Sequence, residues 1–167
     1  MTITLQFINA ASTGDISCVR DYHQQGANIH SNNNAALRFS ANHGHLEVVS
    51  YLVEHGADIH ANNDDALYWS AQNGHLEVVK YLVGLGMDIN ARNDYALRLS
   101  ANNGHLEVVK YLIAHGADVN VGIDSGYDQP NVLAWLEGYQ QALKEQKQLL
   151  KHVKNTTPSQ NFNKNRI

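Results

Sequence analysis

Residues Gly44–Val49 read GHLEVV, and the same six letters return at Gly74–Val79 and Gly104–Val109. The offset is 30 residues each time, without insertion. Around the phrase the match widens to whole units. Segments 58–87 and 88–117 agree at 20 of 30 positions, and segments 28–57 and 58–87 at 18 of 30. A fixed period of this length marks stacked supersecondary units, each too small to bury its apolar face alone.

The unit 58–87 sets the local expectation. Asn62, Asn63 and Asp64 are turn and helix-capping residues, whose short polar side chains accept from free backbone N–H groups. Ala66, Leu67, Ser70 and Ala71 share one side of a short first helix, which Gly74 closes in the left-handed conformation. A second helix follows from His75, with Leu76, Val79, Leu82 and Val83 as its buried stripe, and Gly86 ends it. The reading is an all-α solenoid of helix–turn–helix units.

The run SAQNGHLEVVKYLVGLGMDINA and its successor ALRLSANNGHLEVVKYLIAHGADVN resemble ankyrin repeats. The resemblance spans residues 1 to about 120 and recurs in phase. One departure is visible. Ankyrin units usually run to 33 residues and open with T-P-L-H, whereas this chain has 30 and reads AALR, DALY and YALR. The shortfall falls in the loop that forms the family's projecting hairpin finger, so short turns are expected there. Period-30 units of this style are similar to those of giant viruses and amoeba-associated microbes.

The units divide as follows. Residues 1–27 are a degenerate capping repeat, because Gly14 and Gly26 keep the phase while Asp15 replaces His and Cys18 replaces Val. Its polar outer side suits a terminal unit with one neighbour. Residues 28–57, 58–87 and 88–117 are full repeats. Residues 118–153 form a helical C-terminal cap, with GIDSGYDQP as an irregular connection and a helix from Asn131. That helix is expected either whole or broken near Gly138. Val132, Leu136, Tyr139, Leu143, Leu150 and Val153 alternate in steps of four and three along it. Residues 154–167 are Asn-rich and apolar-poor, and are expected to form a flexible tail.

Composition narrows the function. The net charge is -4 with ten histidines uncounted, which is not the footprint of a nucleic-acid binder. The lone Cys18 excludes an internal disulfide and fits a reducing compartment. No signal peptide and no run of membrane-spanning length is seen. The expected location is cytoplasmic, or the host cytosol for a viral or secreted factor. His45, His75 and His105 recur one per unit, about 10 Å apart by helix packing, whereas a shared metal needs ligands at about 2 Å. The resemblance implies instead that each bonds across the turn between repeats. Neither metal, cofactor nor catalysis is expected, since no hydrolase, phosphate-loop or zinc motif occurs.

The variable side of the first helix carries the functional expectation. Arg38, Phe39, Asn42 and His43 occupy it in the first full unit. Asp65, Tyr68, Trp69, Gln72 and Asn73 occupy it in the second, and Tyr95, Arg98, Leu99, Asn102 and Asn103 in the third. The resemblance implies that this helix lines a concave groove, and Arg, Tyr and Trp dominate interface energetics. Arg38, Tyr68, Tyr95 and Arg98 are expected to be exposed, while Phe39, Trp69 and Leu99 are open between packing and contact. The leading function is binding of another protein in that groove, as an inhibitor, immunity protein or host-interaction factor. Two alternatives compete: homodimerisation through Leu143, Leu150 and Val153 of the cap helix, and nucleic-acid binding by Arg38 and Arg98.

Overall fold

The computed structural model describes residues 2–126 and 128–156. Among them the chain forms ten helices and no strand. The helices come in pairs: α1 (Ile3–Thr13) with α2 (Ile16–Gln24), α3 (Ser31–Asn42) with α4 (Leu46–Glu54), and α5 (Ala61–Gln72) with α6 (Leu76–Gly84). Then come α7 (Ala91–Asn102) with α8 (Leu106–Ala114), and α9 (Val119–Ser125) with α10 (Pro130–Thr156). The pairs stack into an all-α solenoid of two layers.

Side-chain size sets its curvature. Ala36 and Ala41, Ala66 and Ala71, and Ala96 and Ala101 are buried on successive first helices beside Ser40, Ser70 and Ser100. Each serine hydroxyl donates to the carbonyl three residues back, at 3.0, 2.9 and 3.0 Å, so its burial leaves no polar debt. Small residues bring the first helices of neighbouring units close. The second helices carry Val, Leu and Tyr and stand further apart. The row therefore curves toward its first-helix side. Leu37, Leu67 and Leu97 from one layer, and Leu52, Leu82 and Leu112 from the other, are almost completely buried and form its spine.

The polar loops do something other than cap. Asn32, Asn33 and Asn34 all have positive φ, as do Asn62, Asn63 and Asp64, and Arg92, Asn93 and Asp94. Each helix is thus entered through one left-handed turn, and the expected side-chain capping bonds are absent there. Left-handed geometry costs about 1–2 kcal/mol for an ordinary residue and least for Asn and Asp, which explains the composition. In the first and third of these turns the last residue reaches the next unit: Asn34 Oδ1 accepts the Asp58 N–H at 3.0 Å, and Asp94 Oδ1 accepts the Asp118 N–H at 3.3 Å. This stapled turn stands where a longer unit projects a finger.

Two other expectations need revision, and one left open between two forms takes the first of them. Leu76 and Val83 are half-buried, and the fully enclosed side chains of α6 are Val78, Val79 and Leu82. Leu76 is the first residue of its helix, at the edge of the unit, where neighbours cover only part of it. The segment GIDS is helical within α9. Asp118 caps it by accepting the Asn120 N–H at 2.9 Å, and Gly122 lets it lie against Leu136, whose Cδ2 would be 3.1 Å from an added Cβ. Finally, α10 runs unbroken through Gly138, with Pro130 in its first turn. Its Val132 and Leu136 are buried against the stack, whereas Leu149 and Leu150 are 67% and 56% exposed. The side chain of Val153 and residues 157–167 lie outside the described residues.

Candidate functional site: the groove along the first helices

The turns between helices hold the groove's floor rigid. Nε2 of His45 lies 3.1 Å from the Ser12 carbonyl, Nε2 of His75 2.9 Å from that of Asn42, and Nε2 of His105 2.8 Å from that of Gln72. Each ring packs on the glycine of the preceding unit: a Cβ on Gly14, Gly44 or Gly74 would come within 2.5 Å of the imidazole. The conserved letters of the repeated phrase are therefore one joint, seen three times. Burial pushes the His75 imidazole below its ordinary range, against the pull of the Asn42 carbonyl. The joint thus favours a neutral ring donating through Nε2.

The groove residues do not all face solvent. Arg38, expected to be exposed, is only 13% so. Its Nη1 pairs with Asp65 Oδ2 at 3.0 Å, and its Nε and Nη2 donate to the carbonyls of Asn33 and Asn32. The guanidinium is consumed in bracing the left-handed turn and joining two units. Losing one member of so enclosed a pair strands the other, at a cost of about 3 kcal/mol. Tyr68 departs further from expectation, being 2% exposed. Its ring meets Tyr95 edge to face at 5.0 Å, the Arg92 guanidinium lies 5.5 Å from its centroid, and its hydroxyl makes no hydrogen bond. The site two units deep in the stack leaves this ring no route to water.

Phe39 and Trp69 take an intermediate place. Both are half-buried, and their rings stack across the unit boundary at 6.0 Å with 16° between planes. Arg38 sits 5.4 Å from the Trp69 ring. Tyr95 and Leu99 are half-buried too, while Arg98, Gln72, Asn73, Asn102, Asn103 and His43 are exposed. Asn73 donates to Asn42 Oδ1 at 2.8 Å, tying the rim of one unit to the next.

Two groove residues escaped the sequence reading. Asp124 and Ser125 line an open depression of about 230 Å³ with Tyr95, Arg98, Leu99 and Asn102. They fall on α9, which starts directly after Asp118 without a left-handed turn and so breaks the repeat's phase. Ser125 stands 30 residues after Tyr95, but the letters around it no longer match the repeat, so the pattern does not mark it.

The family description for ankyrin repeats in three copies matches residues 7–93, and a single ankyrin repeat matches residues 94–122. The chain is an ankyrin-repeat protein. A comparison with curated proteins returned no match. Ankyrin repeats are generally protein–protein interaction modules and are typically non-enzymatic. In this ankyrin array, no helix among the described residues is long and apolar enough to cross a membrane.

Proposed function

We propose that this ankyrin array binds a partner protein on its concave first-helix face. The observation that carries the reading is the Phe39–Trp69 stack, left half-open to solvent between polar side chains on a floor locked by histidine joints. Rigid aromatic surface that loses little entropy on binding is what interfaces use as anchors. Phe39, Trp69, Tyr95 and Leu99 supply the apolar contact. Arg98, His43, Gln72, Asn73, Asn102 and Asn103 supply the polar rim. Asn42, Arg38 and Asp65 hold neighbouring units together, and Tyr68 supports the groove from beneath. The reading fits an inhibitor, an immunity protein or a host-interaction factor alike.

Affinity capture tests it. The native chain retains a protein that the Phe39→Ala, Trp69→Ala double variant loses, while circular dichroism of the variant stays near native. Equal retention by both removes the groove as the binding face.

A second reading rests on the exposed Leu149 and Leu150 of α10. Here a second copy covers them, with Leu143 and Leu150 in the seam. Sedimentation decides: a concentration-dependent dimer abolished by Leu143→Asp plus Leu150→Asp supports it, and a monomer at every concentration excludes it.

A further inference from the structure

Along the groove, neighbouring units meet through a recurring pair of positions 27 residues apart. In the first such pair Arg38 holds Asp65 at 3.0 Å. In the next, Tyr68 and Tyr95 meet edge to face at 5.0 Å. In the last the count gives Arg98 and Ser125, which line the same depression, although Ser125 ends α9 whereas Asp65 and Tyr95 directly follow a left-handed turn. Ser125 carries no charge, and Arg98 makes no hydrogen bond or ion pair with any described residue. Arg98 is exposed, where Arg38 is mostly covered. The same residue type at the same place in the repeat is therefore saturated in one unit and vacant in another.

We propose that Arg98 is the seat for a carboxylate side chain of the partner protein, held as Arg38 holds Asp65. The proposal rests on the concave-face reading and names the partner's chemistry. A guanidinium offers a planar fork that matches a carboxylate and forms charge-assisted bonds. Tyr95 and Leu99 provide half-buried walls for the methylene stem of such a side chain, and Asn102 a polar edge. Asp124 shares the wall without forming an ion pair with Arg98, so it weakens the seat without filling it. The whole chain carries a net charge of -4 and repels acidic surfaces at long range. The acid that binds Arg98 therefore stands in a neutral or basic stretch of the partner.

The test needs no partner in hand. Acetyl-Leu-Glu-Leu-amide is titrated into the isotopically labelled full chain, following the arginine Nε–Hε resonances, with Arg98→Gln giving the assignment. The Arg98 resonance shifts saturably, and the glutamine version of the peptide leaves it unmoved. Ser125→Asp supplies an internal carboxylate and weakens the peptide by about tenfold, the scale of one charge-assisted bond. Ser125→Asn does not, and Asp124→Asn strengthens binding. An Arg98 resonance that stays still, that moves together with those of Arg38 and Arg92, or that ignores Ser125→Asp overturns the proposal. The two readings fail separately. A captured protein lost on Phe39→Ala plus Trp69→Ala but kept on Arg98→Gln removes the seat alone. An Arg98 shift with capture independent of Phe39 and Trp69 removes the groove reading alone.

Discussion

The side-chain amide of Gln129 donates to the carbonyl of Asn102 at 3.1 Å. It does for the last repeat what His45, His75 and His105 do for the others, although it lies outside the 30-residue phase. It even occupies the same space, since a Cβ on Gly104 would meet Gln129 Oε1 at 2.7 Å. Gln129→Ala leaves the Asn102 carbonyl without this donor and is expected to lower stability by about 1 kcal/mol. Gln129→His is expected to keep most of it. Urea midpoints of the two variants check the difference.

His75 makes the array sensitive to acid. Its imidazole is held below the usual value of 6.5 by burial, with His105, His43 and His45 adding repulsion. A group with a depressed folded pKa of this kind binds protons more readily when unfolded. Its contribution is complete above pH 6.5 and is lost as pH falls from there toward the folded value. His75→Gln, the residue type the chain itself uses at position 129, is expected to flatten the stability profile between pH 7 and pH 5. A profile as steep as that of the native chain contradicts the assignment.

Asp94 works in the opposite sense. Burial pushes its carboxyl above the ordinary value of 3.8, with Asp118 and Asp88 adding to the rise and the Asp118 N–H opposing it. A raised folded pKa means that its contribution is fully present below pH 3.8 and is lost as pH rises through the folded value. At neutral pH the charged carboxylate therefore costs stability. Asn34 makes the equivalent bond to the next unit without a charge. Asp94→Asn is expected to raise Tm at pH 7 by about 1–2 °C, the shift that roughly half a kcal/mol gives in a chain of this length, with the gain shrinking toward pH 3.5.

The two leucines of α6 separate edge from core. Leu82 is 0% exposed, and Leu82→Ala is expected to cost about 2–5 kcal/mol. Leu76 is half-buried, and Leu76→Ala is expected to cost clearly less. Equal losses in chemical denaturation contradict this ranking.

Tyr68 buries a hydroxyl that makes no hydrogen bond. Tyr68→Phe removes an unsatisfied polar group and keeps the ring against Tyr95, so stability is expected to hold or rise by about 1 kcal/mol. Tyr68→Ala is expected to cost several times as much, since it opens a cavity between units. Thermal denaturation of the pair distinguishes support of the groove from contact with a partner.

The repeat's period and its small-residue positions determined the stack. Ala66, Ser70 and Ala71 return in phase because each must pass a neighbouring backbone, and His75 returns because the same turn needs the same brace. Such requirements are local or lie one unit apart, so a single phased pattern displays them. Tertiary structure alone decided which groove residues remain available. Arg38 and Arg98 are the same letter at the same phase, but one faces Asp65 and the other Ser125. Tyr68 looked like a contact residue until the next unit's Tyr95 and the strained turn's Arg92 closed over it. The α9–α10 end departs from the repetition after Asp118, and there Gly122 and Gln129 built the last unit from different letters. Exposure is a property of pairs brought together by stacking, and the identity of one residue does not contain it.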